Sequence, residues 1–230
     1  MAKTILVSGY GPGISSAIAE KFGAEGYSVA LAARNAERLE AGARALQAKG
    51  VRAAAFPADL ADPNAVRALV GKAREALGPL TALAWTAYDT GAGDLLTADP
   101  AAIHRVLDIA TTSLLAAVHA ALPDLKGQPD AAVLVVNGGF GYADPSIDAS
   151  AVQFNAMGLA LANAAKNKLV GMLAQKLKGD GIFVGQAMVL GTIKGTAWDN
   201  GTNATIPAST VATALWEMSR ARSELTVKIS

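Results

Sequence analysis

Seven short apolar runs alternate along the chain with longer segments in which Ala and Leu recur among charges at helical spacing. Thr4–Ser8, Ser28–Ala32, Arg52–Phe56, Ala82–Trp85, Ala132–Val136, Ile182–Met188 and Glu224–Ile229 are too short for helices. Gly, Pro or charge bounds most of them, so they read as strands. Ser15–Glu25, Ala36–Lys49, Pro63–Ala76, Pro100–Leu122, Phe154–Lys178 and Ser209–Arg220 read as helices, several opening on Asp, Pro or Ser and closing near Gly. Strands apolar along their whole length are buried on both faces, and their alternation with helices is the pattern of right-handed βαβ crossovers. The expected fold is therefore α/β: a single doubly wound domain over residues 1–230, with a seven-stranded, mostly parallel sheet and helices on both faces. Ligands of such sheets bind at the carboxyl ends of the strands, where the strand order reverses.

The 230 residues are 52% hydrophobic and 17% charged, with a mean hydropathy of +0.31, which suffices to bury a large core. Twenty basic against nineteen acidic side chains leave a net charge of +1, so neither a nucleic-acid footprint nor a field for a cationic partner is expected. With no Cys, disulfides, thiolate catalysis and Cys-ligated metals are excluded. His104 and His119 share one predicted helix at a spacing too wide for i, i+4 ligation, and no metal site is expected. Gly9 and Pro12 interrupt the apolar run after Lys3, unlike a secretory leader. The longest low-charge stretch, Thr111–Pro123, is shorter than the roughly 20 residues a bilayer requires. A cytoplasmic protein that makes no membrane contact is the expectation.

The first strand runs into Ser8-Gly9-Tyr10-Gly11-Pro12-Gly13-Ile14-Ser15, and a helix follows at once. Three glycines there allow a tight turn and let a pyrophosphate approach backbone amides without a Cβ in the way. The second strand ends in Ala32-Ala33-Arg34-Asn35. The carboxylate that would grip a ribose 2′-hydroxyl is missing, and the Arg34 guanidinium suits a 2′-phosphate, which favours NADP(H) over NAD(H).

These motifs resemble the short-chain dehydrogenase/reductase family across nearly the whole chain, which implies a Rossmann-type, NAD(P)-binding fold. Ser8-Gly9 to Gly13-Ile14-Ser15 resembles the family's Thr-Gly-x-x-x-Gly-Ile-Gly, with Ser15 in place of the last glycine. Asp59-Leu60 resembles the pair that contacts adenine, although an Asp there also suits a helix cap. Leu190-Gly191-Thr192-Ile193 resembles the Pro-Gly-x-Val segment at the nicotinamide carboxamide, implying a backbone contact at Ile193. The resemblance thus implies cofactor contacts at Gly9, Gly11, Gly13, Ile14, Arg34, Asn35, Asp59, Leu60, Ala87 and Ile193.

The family's chemistry uses a Tyr, a Lys, a Ser and a relay Asn, and this sequence departs from it at each. The fourth-strand Asn-Asn-Ala-Gly is Trp85-Thr86-Ala87-Tyr88, keeping only Ala87; the relay position falls on Ala110, and Gly138 stands where the Ser would be. For Tyr-x-x-x-Lys two registers are open, Leu159 with Asn163 or Phe154 with Gly158, and neither keeps the pair. Tyr88, Asp89, Tyr142, Asp144 and Lys194 remain as polar groups near the crevice, with Tyr142 the candidate acid. Residues 196–207 stand where the family places a substrate lid, and Trp198 is placed to cover an apolar substrate or to dock on another subunit. The resemblance also implies a homo-oligomer, dimer or tetramer, through the long Ala-rich helices. Three functions follow as expectations: an NADP(H)-dependent oxidoreductase with a non-standard active site acting on a small molecule; a catalytically inactive NADP(H)-binding sensor or assembly subunit; a non-redox lyase or isomerase.

Overall fold

A computed structural model describes residues 3–230. Its strands are β1 (Lys3–Ser8), β2 (Tyr27–Ala33), β3 (Ala53–Pro57), β4 (Leu80–Trp85), β5 (Ala132–Gly138), β6 (Phe183–Val189) and β7 (Thr226–Ile229). They form one sheet in the order β3-β2-β1-β4-β5-β6-β7, and every pairing is parallel rather than mostly so. The order reverses between β1 and β4, which opens the crevice at their carboxyl ends. Strand period 2 divides the core: Leu6 faces one apolar cluster while Ile5 and Val7 face the other.

The helices are α1 (Ile14–Ala24), α2 (Ala36–Ala48), α3 (Pro63–Leu77), α4 (Pro100–Leu107), α5 (Ser113–Leu125), α6 (Pro145–Gln153), α7 (Met157–Leu177) and α8 (Ala208–Ala221). Residues of α3, α5 and α7 fill one side of the sheet, and those of α1, α2 and α8 fill the other. Asn35, Asp62, Asp99 and Asp144 each accept a backbone N–H from the first turn of the helix they precede, and Pro63, Pro100 and Pro145 start three of those helices.

Two expected helices differ. Pro100–Leu122 divides into α4 and α5 around a wide π turn, Asp108–Thr112, where the Thr111 hydroxyl donates to the Leu107 carbonyl. By length and composition Pro100–Leu125 could cross a membrane, contrary to the expectation from the sequence, yet half of that window is buried inside the fold. The helix expected over 154–178 begins only at Met157, and a separate α6 precedes it. Asp144-Pro145 caps and starts α6, and Asn155, at φ 50, takes the left-handed conformation that ends it.

Candidate functional site

The turn after β1 is shaped by close approach. The N–H groups of Gly9 and Tyr10 both donate to the Ala32 carbonyl, at 2.8 and 2.9 Å. Gly9 has φ +91°, and a Cβ there would lie 2.6 Å from the Ala87 nitrogen, so only glycine lets this turn meet the loop after β4. Thr86 ties the two loops together by donating its hydroxyl to the Ser8 carbonyl at 2.9 Å. Gly13, at φ +89°, precedes α1; a Cβ on it would meet Thr196 Cγ2 at 2.9 Å. The Ser15 hydroxyl accepts from the Gly11 N–H at 2.8 Å and donates to the Gly11 carbonyl at 2.9 Å, so this departure from glycine braces the turn. A helix start leaves its first N–H groups without intrahelical acceptors, and those around Ile14 form a cradle for an anion.

Arg34 is exposed just beyond β2. Asn35 spends its side-chain oxygen capping α2, accepting from the Arg38 N–H at 2.8 Å. Arg38 itself, one turn after Arg34, brings Nη1 to 3.9 Å from the position of a Gly11 Cβ. A cation in the first turn opposes the helix dipole, so its place beside the glycine turn has an electrostatic cost that a bound phosphate would offset. Tyr10 lays its ring on Gly42 of α2, where any Cβ would collide with it, and so locks the turn to the helix carrying Arg38. Burial, with a smaller contribution from Glu20, raises the Tyr10 pKa.

Asp59 does not cap α3; Asp62 does, accepting from Asn64 N–H at 2.8 Å. The Asp59 carboxylate instead receives two guanidinium N–H bonds from Arg105 of α4, each 2.9 Å, while Arg105 Nε donates to Asp89 at 3.0 Å. Those hydrogen bonds hold Asp59 below the usual carboxylate range and push Arg105 further up. Leu60 is buried in the core and Ala87 lies against Gly9. Ile193 pairs with Ile206 in a parallel bridge, which turns its own N–H away from that partner. The bridge closes off a loop whose Asp199 carboxylate accepts from the N–H groups of Gly195 and Gly201, both 2.8 Å, bonds that lower its pKa.

At the end of β5, Gly138 faces α7. A Cβ on Gly138 would lie 2.8 Å from Asn163 Nδ2, and one on Gly141 would lie 2.8 Å from the Asn163 backbone. Phe154 caps the end of α6, 63% exposed, and Gly158 packs on the Ala92 carbonyl. Phe154 is thus not part of α7, whereas Gly158, Leu159, Asn163 and Lys166 are all buried on that helix, and of these Asn163 meets Gly138. The Tyr142 ring lies under the Lys228 ammonium, 5.6 Å away on the edge strand β7. Tyr88 lies near Trp198 of the 196–207 loop; burial raises its pKa and the neighbouring indole lowers it in part. Among the described residues no cluster of metal-ligating side chains occurs.

The family profile of short chain dehydrogenases matches residues 3–205. The chain belongs to this family. A 3-dehydrosphinganine reductase of Arabidopsis thaliana is 30% identical over 186 residues, 78% of this chain and 52% of the relative. A 3-oxoacyl-(acyl-carrier-protein) reductase of Staphylococcus aureus is 30% identical over 135 residues, 58% of this chain and 55% of the relative. The short chain dehydrogenase chain spans about half or less of the length of the curated relatives it matches. Among solved structures, a Burkholderia cenocepacia short chain dehydrogenase in complex with NADP has a TM-score of 0.86 at 27% identity, covering 99% of this chain and 96% of that one. An NADPH-bound Pseudomonas aeruginosa oxidoreductase containing an atypical catalytic center has a TM-score of 0.84 at 22% identity, covering 99% and 95%, and shares the fold.

In this short chain dehydrogenase the sequence-derived candidates Gly9, Gly11, Gly13, Ile14, Arg34 and Asn35 surround the turn after β1, with Ala87 against it. Arg38 and Arg105 escaped the sequence reading. A basic residue in the first turn of α2, one turn from Arg34, was the available signal for Arg38. Arg105 gave none, because its partners lie 46 and 16 residues away in the chain.

Proposed function

We propose that this short chain dehydrogenase is an NADP(H)-dependent oxidoreductase with a non-standard active site, acting on a small molecule. The observation that carries the reading is the unpaired start of α1 with the Arg38 guanidinium beside its glycine turn, and Arg34 rather than a carboxylate at the end of β2. Ile14 and its neighbours would hold the pyrophosphate, Arg34 and Arg38 the 2′-phosphate, and the Ile193 N–H the carboxamide. When bound, the cofactor supplies or accepts a hydride. The NADP bound by the Burkholderia cenocepacia relative supports the same choice. Gly138 in the place of the family's Ser, and two sequence registers that both lack the Tyr and Lys pair, support the non-standard site. The same departures favour a second reading, a non-catalytic NADP(H)-binding subunit; a lyase or isomerase has no observation of its own behind it.

The exposed Leu115 of α5 and Leu161 and Met172 of α7 favour a homo-oligomer built through those helices, which sedimentation would check. A cytoplasmic location accords with the composition.

Calorimetric titration with NADPH and with NADH tests the cofactor reading. The expected result is a preference for NADPH that falls by roughly 10–100-fold in Arg34→Ala, the worth of one charged hydrogen bond. Equal affinity for both, unchanged in the variant, overturns it. Binding without turnover on any carbonyl substrate selects the non-catalytic reading.

A further inference from the structure

Exposed apolar side chains are distributed unevenly over this fold. Among the described residues ten large ones are exposed, and none precedes Tyr88. The segments after β1, β2 and β3, which carry the glycine turn, Arg34 and Arg38, therefore expose none. Six of the ten, Tyr88, Leu96, Val152, Phe154, Leu190 and Trp198, stand in the segments that follow the carboxyl ends of β4, β5 and β6, the other half of the crevice. Several adjoin one another. The Phe140 and Phe154 rings are 6.5 Å apart, Leu190 Cδ2 lies 3.0 Å from the Cβ position of Gly139 next to Phe140, and Tyr88 lies near Trp198. The Trp198 loop borders the nucleotide half directly, because Thr196 Cγ2 lies 2.9 Å from the Cβ position of Gly13.

Charge follows the same division. The segments 86–99, 139–156 and 190–207 hold six Asp, one Lys and no Arg, a net charge of −5 from six negative groups and one positive. Arg105 balances only Asp89 among them, at 3.0 Å. A carboxylate or phosphate entering there meets Lys194 alone, within a field of its own sign. A cation finds little more, because Asp94, Asp99, Asp144 and Asp199 already accept the backbone N–H groups of Leu96, Ala101, Ser146 and Gly195, at 2.7–2.9 Å. We propose that this half of the crevice takes an uncharged substrate, a carbonyl or hydroxyl compound whose remaining surface is alkyl or aromatic, and that Phe154 and Trp198 are specificity-determining residues that cover it. The proposal rests on the NADP(H) reading above, which gives the basic half of the crevice to the nucleotide and leaves the apolar half to the second molecule. Binding there draws its affinity from apolar area removed from water, so it grows with each methylene the ligand buries.

The test is displacement of the neutral fluorophore N-phenyl-1-naphthylamine, with and without NADP⁺, by straight-chain methyl ketones from 2-hexanone to 2-decanone and by 9-oxodecanoate, which adds a terminal carboxylate to the same ketone. Affinity is expected to rise roughly 3- to 4-fold per methylene, and 9-oxodecanoate to bind at least roughly 10-fold more weakly than 2-decanone. Phe154→Ala and Trp198→Ala each weaken 2-decanone by roughly 10-fold, and because those side chains are 63% and 42% exposed the variants fold normally. Leu115→Ala, which removes a side chain 43% exposed on α5, changes nothing and controls for probe bound elsewhere. No dependence on chain length, tighter binding of 9-oxodecanoate, or Phe154→Ala and Trp198→Ala as silent as Leu115→Ala overturns the proposal. Failure of NADPH to bind sinks the cofactor reading instead, and the displacement series without nucleotide still judges the apolar site. The expected displacement series without NADPH oxidation by any of the ketones upholds the ligand class and selects the non-catalytic reading.

Discussion

Lys166 is 2% exposed on the buried face of α7 and makes no hydrogen bond or ion pair among the described residues. On the same face Ala162 joins Ala110 and Val106, one turn before it, and Leu169 and Val170 join Leu114 and Ile109, one turn after. Burial among these groups penalises the ammonium and lowers its pKa from 10.5 to about 8. Because the folded pKa lies below the unfolded one, the unfolded chain binds more protons between the two values, and stability rises with pH across that window. The difference of about 2.5 units, at about 1.36 kcal/mol each, makes protonated Lys166 cost about 3 kcal/mol at pH 7. Lys166→Met keeps the stem volume and removes the charge. It is expected to stabilise the protein by about 3 kcal/mol at pH 7, raising Tm by roughly 6–12 °C for a chain of this size. By pH 10 the folded-state lysine is almost wholly neutral and the unfolded-state value of 10.5 lies only half a unit above the pH, so the gap narrows to under about 1 kcal/mol. Thermal and urea unfolding of both proteins at pH 7 and pH 10 measures this. A destabilised variant at pH 7, or a gap that does not change with pH, refutes the reasoning and gives Lys166 a partner it lacks here.

Arg38→Ala is expected to weaken NADPH binding roughly 10-fold or more and leave NADH binding unchanged, read by calorimetry; an equal loss for both cofactors would assign Arg38 to the pyrophosphate or to folding. Arg105→Gln removes the hydrogen bonds that hold Asp59 below the usual carboxylate range. Since that pKa is depressed, the contribution is present above about pH 3.8 and fades as pH falls, so the variant's stability deficit at pH 6 should shrink on acidification, as unfolding curves would reveal. Gly9→Ala meets both φ +91° and a 2.6 Å approach to backbone; a loss of at least about 1–2 kcal/mol together with loss of NADPH binding is expected, and a normal Tm with normal binding would contradict the close approach. Tyr142→Phe should leave kcat within about twofold, because the ring sits under Lys228; a loss of about 100-fold would return the hydroxyl to the chemistry.

The order of strands and helices, the doubly wound sheet and the glycine turn before α1 were legible in the sequence because their causes are local. Uninterrupted apolar runs bury on both faces, Asn35, Asp62 and Asp99 start helices, and glycine is needed where φ is positive. Asp144-Pro145 carried the same local signal for α6. The π turn that separates α4 from α5 had no such signal. Tertiary structure alone decided which residue meets Gly138, that Arg105 joins Asp59 to Asp89, that Lys166 is buried without a partner and that Tyr142 turns towards β7. Those contacts join segments from 16 to 86 residues apart, and a pairing across such distances depends on how two elements dock on the sheet, which no local preference encodes.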